Sequence, residues 1–252
     1  MTKTETSEIH SLPTHREVYY PESDGKPMAE TDVHRNLMTD FIQMLDDYFQ
    51  DRFDVYVSGN LLLYYEKGNP RKSVAPDVFV VFGVKRKTRR TYLLWEEEKG
   101  PDFVLELSSK STYRTDLNRK KRLYAQVLGV QEYFIYDPDH QYLNPALQGY
   151  RLIDDSYVPI SPVERRLPST ALGLELGFKP DGKLGLYNPQ TGSWLLLRKE
   201  RAEEAEVRAD QAEAKAQQEA EARRREVEVR LQAEAELARL RAEIERLQAQ
   251  QK

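Results

Sequence analysis

The 252-residue chain contains no cysteine, which excludes a disulfide scaffold and any thiolate-bound zinc. No apolar run approaches the roughly 20 residues needed to cross a bilayer, and Met1 to His15 is polar, with no apolar stretch for a secretory signal. These absences fit a reducing compartment and lead to the expectation of a soluble, cytoplasmic protein with no membrane contact. Net positive charge is also lacking, since 38 Lys and Arg against 42 Asp and Glu give -4. Any attraction for a polyanion must therefore be local. Two basic clusters exist, Lys85, Arg86, Lys87, Arg89 and Arg90, then Arg114, Arg119, Lys120, Lys121 and Arg122. Taken alone, each reads as a solvated loop or helix face.

Glycine and proline vanish past Arg198, where Ala, Glu, Arg and Gln take over. One heptad frame runs through this segment: Ala202, Ala209, Ala216, Leu237 and Ile244 fall at a, and Ala205, Ala212, Ala233, Leu240 and Leu247 at d. Arg223 and Arg230 at a, with Glu219 and Glu226 at d, interrupt it. A coiled coil over 198–252 is expected, with homodimerisation through it; a lone charged helix is the alternative. The remainder, in a chain 39% hydrophobic overall, suffices for one sizeable core. Pro13, Pro21, Gly25 and Pro27 mark residues 1–30 as an extended lead-in, which leaves 31–197 as the folded domain.

Within that domain a helix is expected over about Asp32–Phe49, capped by Thr31 or Asp32, with Val33, Leu37, Phe41, Leu45 and Tyr48 as its apolar stripe. Asp54–Val57 and Leu61–Tyr65, separated by Ser58-Gly59-Asn60, read as a hairpin. Asp77 then opens the strand Val78–Phe82. A basic loop leads to Thr91–Leu94 and the acidic stretch Glu96–Glu98, read as a solvated loop. The strand Phe103–Leu107 follows, then a helix from Arg114 to Leu128 stopped by Gly129, and the strand Glu132–Tyr136. Short strands around Gly149–Ile153, Tyr157–Ile160 and Ser193–Leu197 form a β-rich annex. Helix, strands, helix, strand indicates a mixed α/β domain.

One residue is out of place by composition. Glu106 sits inside the apolar run Phe103–Leu107, where an unpaired carboxylate costs several kcal/mol on the order usual for buried ions, so it requires a partner or a metal. Asp77 opens a neighbouring apolar strand, and Lys120 lies early in the helix after Glu106. Two carboxylates, a divalent cation and a nearby amine meet the needs of phosphodiester hydrolysis. Each acid alone has a plainer reading, as a turn residue or a partner of Arg or Lys. Tyr124, Tyr133 and Trp95 read as core aromatics.

Pro76-Asp77, Glu106-Leu107-Ser108-Ser109-Lys110-Ser111-Thr112, Asp116 to Tyr124 and Gly129 to Phe134 together resemble the Uma-type restriction endonuclease family of bacteria. That family falls within the PD-(D/E)XK nuclease superfamily. The resemblance covers roughly residues 15–190. It implies a core of a helix, three strands, a helix and a strand, a Mg²⁺ (or Mn²⁺) site at Asp77 and Glu106 with the Leu107 carbonyl as a third ligand, and DNA as substrate. The superfamily pattern places lysine two positions after the glutamate; Ser108 stands there instead, and the family lysine matches Lys120, with Lys110 the weaker stand-in. His34 matches a family histidine, and a surface helix histidine is its equal alternative. A nuclease-fold scaffold without turnover, working through its coiled coil, is the competing function.

Overall fold

The structure is a computed structural model describing residues 18–23, 25 and 31–250, so the expected lead-in over 1–30 lies largely outside the described residues. The chain divides into two units, Met1–Leu195 and Leu196–Lys252. The first helix, α1 (Asp32–Tyr48), starts where the Thr31 hydroxyl accepts the His34 N–H at 3.2 Å. Of its expected stripe Phe41 and Leu45 are buried, joined by Met44, whereas Val33 is exposed.

Thirteen strands follow. β1 (Val55–Ser58), β2 (Leu63–Tyr64), β3 (Ser73–Val74), β4 (Val78–Phe82), β5 (Tyr92–Leu93) and β6 (Phe103–Leu107) precede the second helical region. β7 (Glu132–Tyr136), β8 (Leu147–Ile153), β9 (Ser156–Pro159), β10 (Leu167–Ser169), β11 (Leu174–Phe178), β12 (Leu184–Asn188) and β13 (Ser193–Trp194) come after it. The main sheet has the order β1-β4-β6-β7-β8-β9; β10 to β13 form a second sheet, and β3-β2-β5 a small third one. Only β6 and β7 pair in parallel in the main sheet, as their crossover connection requires. Its first strands and helices thus read helix, three strands, helix, strand, with β2, β3 and β5 inserted, in a mixed α/β fold.

The sheet explains why the runs of β4, β6 and β7 are apolar almost throughout. Every residue of β6 and β7 is buried, since helices and loops cover both faces. Phe79 and Val81 of β4, Val104 of β6, and Tyr133 and Ile135 of β7 share one core cluster with Tyr124. Side chains alternate along a strand, so Asp77 and Glu106 belong by parity to that same face. The antiparallel register pairs Val78 with Leu105, and one further step sets Asp77 opposite Glu106.

Several expectations fail here. β1 pairs with β4, and β2 pairs with β3 and β5 in another sheet, so no hairpin forms at Ser58-Gly59-Asn60. The Asn60 N–H instead donates to the Pro76 carbonyl at 2.8 Å, tying this segment to the start of β4. Nor is the helix after Glu106 uniform. It comprises α3 (Tyr113–Thr115), a π-helical turn (Asp116–Lys120) and α4 (Lys121–Gln126). The acidic stretch is a short helix, α2 (Leu94–Glu97). Its Glu97 pairs with Lys87 and with Arg89, whose side chain is 2% exposed and lies over Tyr56. Neither that acid nor that arginine is part of a solvated loop. Trp95, expected in the core, is only half-buried, against Tyr20.

The second unit is one 53-residue helix, α5 (Arg198–Gln250), about 80 Å long at 1.5 Å per residue. Its i,i+4 pairs include Arg208–Glu204 and Arg230–Glu234, each worth only a few tenths of a kcal/mol, roughly. Leu237, Leu240 and Ile244 are exposed; the Leu247 side chain lies outside the described residues.

Candidate active site

Asp77 is positioned by a close backbone approach. A Cβ on Gly59 would lie 2.0 Å from the Asp77 carbonyl oxygen and 2.6 Å from Ile42 Cδ1, so only glycine lets the chain pass there. The Leu107 N–H donates to Asp77 Oδ2 at 2.7 Å, and His34 Nε2 lies 3.3 Å from Asp77 Oδ1. Burial works to raise the Asp77 pKa. The His34 contact, the charge of Lys120 and the Leu107 N–H outweigh it and hold the carboxyl below its ordinary value. Asp77 is ionised.

Glu106 is 0% exposed and behaves oppositely. Burial is the main cause that pushes its pKa well up, aided by the nearby charges of Asp77 and Asp116 and opposed by Lys120. Both oxygens are engaged. Lys120 Nζ is 2.8 Å from Oε2, and the Tyr124 hydroxyl donates to Oε1. Tyr124 and Tyr133 are thus buried as expected, but each also carries a polar task.

Lys120 closes the π-helical turn. The Lys121 N–H bonds back to the Asp116 carbonyl, five residues before it, and the same carbonyl accepts the Tyr133 hydroxyl at 3.0 Å. Such turns recur at functional positions. Lys120 Nζ also lies 3.1 Å from Asp116 Oδ1, while Ser108 Oγ donates to Asp116 Oδ2 at 3.0 Å. Ser108, two positions after Glu106, therefore braces the acid that braces Lys120. Burial tends to deprotonate Lys120, yet Glu106, Asp116 and Asp77 together raise its pKa far above the ordinary value. The side chain is a fixed cation, 22% exposed.

The fold thus brings Asp77, Glu106, Lys120 and His34 together, whereas Lys110 is solvent-exposed in the turn after β6. Sequence reasoning missed the parts played by Asp116, Ser108 and Tyr124. The i,i+4 spacing of Asp116 and Lys120 was the available signal for the first. Among the described residues, no group of three or more His, Asp or Glu side chains is arranged to hold a metal ion. What suits a hard divalent cation is the chemistry of the donor set: three acids surround one ammonium, so carboxylate charge exceeds the lysine's. The Leu107 N–H faces Asp77, and the carbonyl of an extended residue lies on the same strand edge as its N–H.

Residues 6–180 match the Uma2 family, described as "Putative restriction endonuclease". The crystal structure of a "putative nuclease belonging to DUF820" from Anabaena variabilis is similar over 58% of this chain and 76% of its own, with 17% identity and a TM-score of 0.44. No curated protein matches the chain. The family match includes Asp77, Glu106 and Lys120 and spans well over half of the sequence, and the chain belongs to the Uma2 family.

Proposed function

We propose that this protein is a divalent-metal-dependent endonuclease that hydrolyses DNA phosphodiester bonds. The observation that carries the reading is the meeting of Asp77, Glu106 and Lys120 from β4, β6 and the π-helical turn, in a chain of a restriction-endonuclease family. Asp77 and, once deprotonated, Glu106 would hold Mg²⁺ or Mn²⁺, with the Leu107 carbonyl as third ligand. A bound ion of this kind supplies Lewis acidity toward a phosphate oxygen and water of lowered pKa. Lys120, held protonated by three acids, serves as a fixed positive charge beside the phosphate rather than as a general base. Asp116 and Ser108 keep that ammonium in place, and His34 orients Asp77. Purified protein is expected to nick supercoiled plasmid with Mg²⁺ or Mn²⁺ and not with EDTA. Absence of nicking with either ion would favour a scaffold without turnover, a reading supported by the full engagement of both Glu106 oxygens.

Self-association through α5 belongs to the same proposal, because two copies can address two antiparallel strands. Leu237, Leu240 and Ile244 form an exposed seam, and burying each such side chain is worth roughly 1.5–3 kcal/mol. The full chain is expected to sediment as a dimer at micromolar concentration, and a chain ending near Arg198 as a folded monomer. A dimeric truncation would place the interface in the first unit.

A further inference from the structure

We propose that the outer face of the helical region α3 to α4 is the track that holds the backbone of duplex DNA, with Lys121 and its pocket taking one phosphate. The inference rests on the nuclease reading for its ligand and adds where that ligand lies. Between Ser109 and Gln126 the sequence holds six cationic side chains and one acid, in a chain of net charge -4. Lys120 is consumed by Glu106 and Asp116. Arg114, Arg119, Lys121 and Arg122 have no carboxylate partner among the described residues. Elsewhere in the first unit arginines are repeatedly neutralised: Arg52 by Asp54, Arg86 by Asp46, Arg89 by Glu97, Arg151 by Glu132 and Arg166 by Glu175. Arg71 and Arg165 also lack a carboxylate partner among the described residues, but in the first unit the helical region that carries Lys120 gathers four such cations within nine residues, Arg114 to Arg122.

Lys121 adds a second, independent observation. Its ammonium sits 3.2 Å above the centre of the Tyr150 ring, and it borders a pocket of about 370 Å³ lined also by Asn118, Arg122, Ser156 and Tyr157. Asp155 closes one side of that pocket and is outweighed by the two cations. Burial lowers the Lys121 pKa, so an anion in the pocket would relieve an energetic cost already present. From Arg114 to Arg122 the helix rises about 12 Å, the axial distance over which one DNA strand carries about three to four phosphates. The count of unpaired cations matches.

The test is equilibrium binding of the full chain to a fluorescent duplex oligonucleotide in EDTA, across a series of salt concentrations. Each lost phosphate contact reduces the slope of log affinity against log salt by about 0.9. The exposed triple variant Arg114→Gln/Arg119→Gln/Arg122→Gln is expected to lose at least about two units of slope and about tenfold or more in affinity. Lys121→Gln alone is expected to lose about one unit. The charge-matched control Lys67→Gln/Arg71→Gln/Lys72→Gln, on the loop between β2 and β3, is expected to bind as wild type. Equal losses in the control, wild-type slopes in the triple variant, or no duplex binding by the wild type would each overturn the track. Binding in EDTA separates this from catalysis. A protein that binds through these residues and never cleaves keeps the track and loses the nuclease reading; one that cleaves with the triple variant binding normally does the reverse.

Discussion

Replacing Lys120 with methionine is expected to destabilise the protein by about 3–5 kcal/mol at neutral pH, because removing one partner strands the buried Glu106 and Asp116 carboxylates. DNA cleavage is expected to fall by about 10²–10³-fold or more as the fixed positive charge is lost. The pH dependence separates this from a mere packing defect. Burial already raises the Glu106 pKa above its ordinary 4.5, and loss of the ammonium raises it further. Between 4.5 and that raised value the native state binds more protons than the unfolded state, so stability falls as pH rises through the window. The deficit of the variant is therefore expected to shrink as pH is lowered toward 4.5, and the double variant Glu106→Gln/Lys120→Met to recover much of the loss. Urea unfolding across pH measures all three. A Lys120→Met protein as stable as wild type, with a parallel pH profile, would mean that water and not lysine satisfies Glu106.

The second large effect concerns the metal. Millimolar Mn²⁺ is expected to raise the melting temperature, since an ion at 100 times its dissociation constant adds about 2.7 kcal/mol to the native state. Glu106→Gln is expected to remove most of that shift. The shift is also expected to grow with pH above 4.5, because the ion must displace the proton that burial favours on Glu106. Asp77 contributes no such dependence in that range, as its carboxyl is held ionised. A metal-independent melting temperature in the wild type would contradict the site, and an undiminished shift in Glu106→Gln would move it elsewhere.

Where composition and period decided the structure, the sequence was readable. The apolar run around Glu106 and the run Glu132–Tyr136 became β6 and β7 residue for residue, because both are buried on two faces and need continuous apolar side chains. Lys120 could be placed from the motif resemblance, and the geometry brings it to Glu106. Ser58-Gly59-Asn60 misled because its composition signals a turn, whereas its glycine serves a tertiary approach to Asp77 that no local pattern encodes. Glu97 and Arg89 looked solvated because charge runs usually are; their bidentate pairing and the Tyr56 ring beneath them arise from segments brought together by the fold. Glu132 is likewise a buried acid, satisfied by Arg151, Ser169 and Thr170. Those partners come from β8, from β10 and from the residue just after it, too distant in sequence for spacing to reveal them.

The convergence of Asp77 and Glu106 on one divalent cation, with Lys120 beside it, is the claim on which the functional reading depends. Anomalous diffraction at the manganese edge from crystals grown with Mn²⁺ tests it most directly. The expected result is a single strong peak between the Asp77 and Glu106 carboxylates, within about 2.0–2.6 Å of their oxygens and of the Leu107 carbonyl. A map with no peak there, or with manganese bound only elsewhere while Lys120 and Tyr124 still hold both Glu106 oxygens, would contradict it.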